Sequence, residues 1–396
     1  MRLEYGQPWM SVRIGTGLSD QANPRAGAAE AAAVARDGLH GAPCDLVVMF
    51  AAGGHLHDPN ATLEIVTEIL EPDQLVGCGA AGVLGRSREV EDGTAVSIWA
   101  ASLGDGEARA FHATVEPVDG GGALAGMPDL EGAAGVLLLP DPFSFPTDPV
   151  LRFLSDLVPM VPLLGGLASA RTPDDGAALF YGDEVASEGA VGVRFEDVEV
   201  LPCVSQGAAP VGPELTITAA EGNVISELAG KPALQKLRET IEGLSDADKR
   251  MVAGGLLMGI VIDVNKPDYV QGDFLVRGLA GADPQSGSIA VGTDVRPGQV
   301  IRLHARDAES ADRDLAEALE IRMQALGGRK PAGALVFACN GRGRGMFGEP
   351  DHDATSVARI LDGAPAAGFF AAGEIGPVGG EHFLHAFTAT VAVFAA

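Results

Sequence analysis

Three stretches of the chain repeat one order of apolar and polar positions. Residues 46–50 (LVVMF), 135–139 (GVLLL) and 334–337 (ALVF) are short apolar runs without polar alternation. Such runs read as strands covered on both faces. Each opens into a loop, 53–57, 141–145 and 338–349, and each loop runs up to an aspartate: Asp58, Asp148, and Asp351 or Asp353. An aspartate there can cap a helix, and Pro59 and Pro149 follow the first two, at a position where a missing N–H costs nothing. Helical spacing comes next. Leu63, Val66, Ile69 and Leu70 share a face, as do Val150, Leu151, Leu154 and Leu157, and then Val357, Ile360 and Leu361.

After each helix the chain becomes apolar and glycine-rich, at 75–82, 162–169 and 367–373, and a further strand follows at 95–101, 189–195 and 383–394. The repeated unit is strand, loop, helix, strand, strand, and repeats of this kind stack around shared sheets. Residues 216–218 and 224–225 read as strands about a turn at 221–223. A helix follows over 232–241, then strands at 256–264, 273–278 and 299–304. An amphipathic helix opens at Asp307 or Ser310, shows Leu315, Leu319 and Leu326 on one face, and ends at Gly327-Gly328. The Gly/Pro-rich stretch 207–213 reads as a linker. The expected fold is α/β (α+β): mixed sheets covered by helices, in two duplicated halves, with domains at 1–212 and 213–396.

Composition narrows the partners. A formal charge of -27 over 396 residues argues against nucleic acid and anionic membranes, which need clustered Lys and Arg. Cys44, Cys78, Cys203 and Cys339 are widely spaced and form no metal-binding pattern, so free thiols in a reducing, cytoplasmic setting are expected. The segment 1–15 lacks the apolar stretch of a signal peptide, and no run of about 18 apolar residues occurs.

The stretch 338–349, ACNGRGRGMFGE, carries most of the candidate chemistry. Gly343, Gly345 and Gly348 match a dinucleotide fingerprint in spacing. That motif needs its third glycine inside the helix, whereas here Glu349-Pro350 follow it. The alternatives are a plain turn or a ligand loop, in which glycine N–H groups and the forks of Arg342 and Arg344 hold a carboxylate or phosphate. Cys339, at a strand end, is a packed thiol, a pocket wall or a nucleophile activated by Arg342. Glu374, beside Gly373 in an apolar stretch, needs a partner: Arg342, a ligand amine, or a proton in catalysis. His55, His57 and Asp58 make a metal site only if all three converge.

Several segments together resemble the FIST family. LVGCGAAGVLG (75–85), EVEDGTAVSIWAASL (89–103) and VPLLGGLAS (161–169) are similar to its N-terminal domain. GNVISELAGKPAL (222–234), 273–307, FACNGRGRGMFG (337–348), GFFAAGEIGPVGG (368–380) and FLHAFTATVAVF (383–394) are similar to its C-terminal domain. The resemblance spans about residue 40 to the end. It implies a sensory module of signal transduction that binds a small ligand such as an amino acid or similar small organic anion. Some family members are fused to kinase or chemotaxis outputs or carry an F-box. No output domain is expected in this chain, and a separate signalling protein is the expected partner. The motif positions carried over as pocket residues are Cys339, Asn340, Arg342, Gly373 and Glu374; the reading of the loop adds Gly341, Gly343 and Arg344 to the expected ligand-binding set. No catalytic set, metal or cofactor is carried over. The rival classes are a hydrolase or transferase using Cys339 or Glu374, and a structural or assembly protein.

Overall fold

The computed structural model describes residues 11–118, 121–263, 266, 268–269 and 272–396. The first ten residues and Val264, which entered the readings of a leader and of a strand at 256–264, lie outside them. The described residues form two compact units: one up to Val204 with Leu315–Leu384 and Ala389–Ala396, the other Ser205–Asp314 with His385–Thr388.

The first unit contains the repeat three times. Repeat 1 runs β1 (Arg13–Ser19), α1 (Pro24–Gly38), β2 (Leu46–Ala52), α2 (Pro59–Leu70), β3 (Gln74–Gly79), a hairpin β4 (Val83–Gly85) and β5 (Arg88–Val90), then β6 (Ala95–Ser102). Repeat 2 runs β7 (Glu107–Val118), β8 (Gly121–Ala125), β9 (Gly135–Pro140), α3 (Thr147–Leu157), β10 (Leu163–Gly166), a hairpin β11 (Leu179–Tyr181) and β12 (Glu184–Ala186), then β13 (Ala190–Glu196). Repeat 3 opens with β14 (Val200–Gln206). After the second unit's β15 (Ala208–Glu221), β16 (Val224–Leu228), β17 (Lys231–Pro232), α4 (Ala233–Glu242), α5 (Asp246–Ala253), β18 (Leu256–Val261), β19 (Phe274–Asp283), β20 (Ser288–Val291) and β21 (Val300–Arg306), it resumes with α6 (Ala308–Ala325) and β22 (Pro331–Cys339). It ends with α7 (Arg344–Phe347), α8 (His352–Ile360), β23 (Ala366–Ala371), a hairpin β24 (Glu374–Val378) and β25 (Glu381–His385), and β26 (Thr388–Ala395).

The three sheets have equivalent orders, β1-β6-β2-β3-β11-β12, β8-β7-β13-β9-β10-β24-β25 and β14-β26-β22-β23-β4-β5. In each, the loop-bearing strand runs parallel to the strand after its helix and antiparallel to the last strand of its repeat. The hairpins do not stay in their own repeats. Repeat 1 gives β4–β5 to the sheet of repeat 3, with Gly85 opposite Ala367. Repeat 3 gives β24–β25 to repeat 2, with Glu374 opposite Gly166. Repeat 2 gives β11–β12 to repeat 1, with Leu179 opposite Cys78. The exchange is cyclic and leaves no repeat complete by itself.

The inner faces of the sheets meet in one core. Phe50 of repeat 1 stacks on Phe369 of repeat 3 at 4.7 Å between ring centroids, and Phe337 meets both edge-on. Trp99, Phe195 and Phe394, one from each repeat, form a second aromatic group in that core. The outer faces are covered separately: by α1 and α2 in repeat 1, by α3 in repeat 2, and by α6 and α8 in repeat 3. Gly77, Gly165 and Gly368 are equivalent. A Cβ at any of them would lie 2.1, 2.0 or 1.8 Å from the carbonyl oxygen of Met49, Leu138 or Val336 on the neighbouring strand. Only glycine permits that approach, which accounts for the recurrent glycine-rich strand.

In the second unit, β15 pairs with both β21 and β16. The antiparallel sheet β15-β21-β18-β19-β20-β16 thereby closes on itself, and β17 adds to β16. Its core gathers Ile217, Leu237, Met258, Ile289, Ile301 and Leu303. The mixed, helix-covered sheets agree with the expected fold class. Three local readings change. The stretch 207–213 is no linker but enters the long strand β15, where a bulge between Val211 and Glu214 absorbs its Gly-Pro pair. Asp148 lies inside the first turn of α3, whose preceding residue Pro146 makes no capping bond. The run 383–394 is two strands, broken at Phe387, which has φ 64°.

Candidate functional site

The three repeats bring their glycine-rich strand ends together. Phe370 N donates to Gly82 O at 3.0 Å, Leu167 N to Gly373 O at 2.8 Å, and Ser169 N to Gly79 O at 3.1 Å, so each repeat is tied to the next. Ser169 adds a bond its counterparts lack. Its hydroxyl accepts from Ala81 N at 2.8 Å and donates to Phe370 O at 2.5 Å. These are the carboxyl ends of parallel strands, where α/β folds place their ligands.

Around this junction the loop-bearing strand of each repeat, β2, β9 or β22, leads into a buried polar contact of its own. In repeat 1, His55 is fully buried with Nδ1 3.0 Å from Thr62 Oγ1, and burial pushes its pKa down to about 4. His57 is exposed and Asp58 caps α2 by accepting from Ala61 N at 3.2 Å, so the three do not converge. Among the described residues no group of three or more His, Cys, Asp or Glu is placed to hold a metal ion. In repeat 2, Asp141 accepts from Ser144 N and Oγ and pairs with Arg171 Nη1 at 3.1 Å.

Repeat 3 is the most charged. Arg342 donates from Nε to Asp353 Oδ2 at 2.5 Å and from Nη2 to Asp353 Oδ1 at 2.8 Å, a bidentate pair with both side chains sealed from solvent. Burial alone would raise the Asp353 pKa. The charge and hydrogen bonds of Arg342 outweigh it and hold the carboxyl at about 2. Burial likewise opposes the charge of Arg342, yet Asp353 raises its pKa, and Cys339 and Glu374 add electrostatically in the same direction. Arg342 Nη1 is buried and has no hydrogen-bond acceptor among the described residues. The guanidinium lies over the ring of Phe347, 5.2 Å away, and that ring stacks on His352, whose Nδ1 reaches Asp353 Oδ1 at 3.1 Å.

The candidate residues are thus placed unequally. Glu374 and half-buried Cys339 lie within electrostatic reach of Arg342. Gly343 and Gly373 are buried beneath the loop, whereas Asn340 and Arg344 face solvent. The loop amides are largely spent within the fold. Asn340 N donates to Ala371 O, Gly341 N to Cys339 Sγ, Arg342 N to Cys339 O and Arg344 N to Glu91 Oε1. Of the glycine amides expected to form an anion nest, that of Gly341 is already engaged by Cys339 Sγ. Gly343 precedes α7 and Gly348 ends it in a left-handed conformation, so the third glycine of the G-x-G-x-x-G spacing is a helix stop, not a packing position within a helix. The remaining cysteines, Cys44, Cys78 and Cys203, are buried free thiols.

The exchanged hairpin β4–β5 supplies residues that periodicity and loop chemistry do not reveal. Asp351 does not cap α8. It adopts φ 63° and accepts from Glu89 N at 2.6 Å. The cap comes instead from Glu89, whose Oε1 accepts from Ala354 N at 2.9 Å. Glu89 Oε2 is buried without a hydrogen-bond partner among the described residues. Burial, with the nearby charges of Asp353 and Glu91, pushes its pKa up to about 7 against the opposing pull of the Ala354 amide. The only sequence signal is the acidic string Glu89-Val90-Glu91-Asp92, which does not say what it meets.

The FIST N domain matches residues 45–231 and the FIST C domain residues 233–377. An uncharacterized protein of Mycobacterium tuberculosis (strain ATCC 25618 / H37Rv) is 41% identical over 384 residues, covering 97% of this chain and 100% of its own. One of Mycobacterium bovis (strain ATCC BAA-935 / AF2122/97) is also 41% identical over 384 residues, covering 97% of this chain and 99% of its own. FIST domains are associated with sensory roles in signal transduction and with small ligands. Among the described residues no helix is long and apolar enough to cross a membrane. With both domains matched in order and relatives similar from end to end, the chain belongs to the FIST family.

Proposed function

We propose that this protein is a cytoplasmic sensor that binds an amino acid or similar small organic anion at the carboxyl end of β22 and signals through a separate protein. The observation that carries the reading is Arg342 Nη1, a charged donor nitrogen buried with no acceptor among the described residues. Leaving such a group unsatisfied costs about 1–3 kcal/mol, and more when it is charged. A ligand carboxylate would recover that energy. Glu374, within electrostatic reach of the same guanidinium, would receive the ligand amine. Cys339, Gly341, Gly343 and Gly373 would form the wall, and exposed Asn340 and Arg344 the mouth.

A thermal-shift screen of the twenty amino acids and small organic anions tests this. A ligand at about 100 times its Kd stabilises the native state by about 2.7 kcal/mol. Arg342→Lys keeps a charge for Asp353 but loses the planar fork, and Glu374→Gln removes the acceptor for an amine. Both variants are expected to lose the stabilisation by an amino acid, and Glu374→Gln alone to retain that by a simple carboxylate. A ligand that stabilises wild type, Arg342→Lys and Glu374→Gln equally would refute the site.

A further inference from the structure

The three repeats differ in how their outer faces are covered. Repeat 1 lays α1 on β1, and repeat 3 sets α6 against its sheet beside α8. In repeat 2, among the described residues, no helix lies between β7 and β9. The Phe111 ring lies over Gly192 instead, where an added Cβ would meet it at 2.4 Å. Beyond that ring is an open cleft of about 530 Å³ between the β7–β8 hairpin and α3, lined by Val115, Leu124, Pro149, Val150 and Phe153.

Exposed apolar side chains are concentrated on this part of repeat 2, with Phe153 in the cleft and Leu157 and Met160 in a second cavity at the end of α3. Of the seven large exposed hydrophobic residues described, five belong to β7, α3 or the segments flanking α3: Val118, Phe143, Phe153, Leu157 and Met160. Met160 is 90% exposed and Phe143 78%. Single exposed apolar residues need no explanation, but a cluster beside an apolar cleft marks a contact surface. The neighbouring cavity at the end of α3, about 350 Å³, sets Asp129 and Glu131 beside Leu157 and Met160. The last turn of α3 carries no basic residue, so its carbonyl end adds to the negative potential there.

We propose that this face docks an amphipathic helix from a separate protein, apolar along one side and carrying Lys or Arg where it passes Asp129 and Glu131. The shape follows from the internal template: the equivalent place on the other two sheets is taken by a helix. The charge follows from Asp129 and Glu131 in the neighbouring cavity at the end of α3. A second copy of this chain is the weaker occupant, because each copy carries a formal charge of -27 and the two would repel. The inference deepens the sensory reading by giving its signalling partner a surface, but its test needs no ligand, so either can fail alone.

The test is fluorescence anisotropy with a labelled 18-residue helical peptide bearing a leucine stripe flanked by lysines, and a twin with glutamates in place of the lysines. Saturable binding of the lysine peptide is expected, with the glutamate twin and the Phe153→Glu and Leu157→Glu proteins each at least tenfold weaker. These side chains are exposed, so circular dichroism melts should not move. The double variant Asp129→Lys/Glu131→Lys should reverse the peptide preference, which a merely unfolded protein would not do. No saturable binding, equal binding of the two peptides, or binding indifferent to Phe153→Glu would overturn the proposal. So would a wild-type dimer in sedimentation that Phe153→Glu converts to monomer, since that would assign the face to a second copy.

Discussion

The loops after β9 and β22 occupy equivalent places and use the same parts to opposite effect. At each, an arginine pairs with a buried aspartate and lies over a phenylalanine ring: Arg171, from the segment after β10, reaches Asp141 in the loop after β9, and Arg342, in the loop after β22, reaches Asp353 in α8. In repeat 2 the arginine is fully engaged. Arg171 Nη1 meets Asp141, and its Nε and Nη2 both donate to Asp175 O, while its side chain stays 22% exposed. In repeat 3 the pair is sealed, and Arg342 keeps one buried nitrogen without an acceptor among the described residues. A satisfied, half-open pair closes a loop. A sealed pair with a spare donor is what a ligand could complete. The lesson is that an Arg–Asp pair in a strand-end loop says little until every donor has been assigned.

The largest effect that would break this contrast is on stability. Arg342→Met strands a buried Asp353 carboxylate and is expected to cost about 3–5 kcal/mol in urea unfolding. The double variant Arg342→Met/Asp353→Leu should recover most of it, because replacing both partners of a buried pair is often neutral. Arg171→Met, in a pair whose arginine is partly exposed and whose aspartate keeps two bonds from Ser144, should cost less, about 1 kcal/mol. Equal losses at the two arginines would erase the distinction.

A second effect depends on pH. Glu89 has its folded-state pKa raised to about 7 from an ordinary value of 4.5, so the native state binds more protons between those values. Its stabilising contribution is full below about pH 4.5 and lost as pH rises through 7, roughly 3 kcal/mol at most. Glu89→Gln should flatten that slope while keeping an acceptor for Ala354 N, and should stabilise the protein above pH 7. Asp353 works the other way. Its lowered pKa gives stability that is present above about pH 4 and lost as pH falls toward 2. If stability rises from pH 5 to 7 by the same amount in wild type and Glu89→Gln, the placement of Glu89 is wrong. The smallest effect belongs to the exposed pair Arg88–Asp20, both about half exposed, where Arg88→Ala should change stability by less than about 0.5 kcal/mol.

The contrast also shows what a sequence displays. The central strands, their loops and the following helices were legible, because buried parallel strands are continuous apolar runs. The first strand and helix were not. β1 reads RIGTGLS, a loop-like string, yet Gly15 and Gly17 are there because α1 lies against them, with the Ala35 and Ala31 carbonyl oxygens 1.9 Å from where their Cβ atoms would be. The alanines α1 buries give only a weak periodic signal. The exchanged hairpins are hidden for another reason. A three-residue strand such as β4 carries no pattern, and its partner β23 is more than 280 residues away in sequence. Arg342 and Glu374 were legible from motif and chemistry. Asp353 was visible only as a helix start, and Glu89 reaches α8 through the hairpin exchange alone.

Calorimetric titration of the stabilising ligand into wild type, Glu374→Gln and Asp141→Asn measures the contrast most directly. The account predicts at least tenfold weaker binding in Glu374→Gln and unchanged binding in Asp141→Asn. Binding lost in Asp141→Asn and preserved in Glu374→Gln would contradict it and move the site to repeat 2.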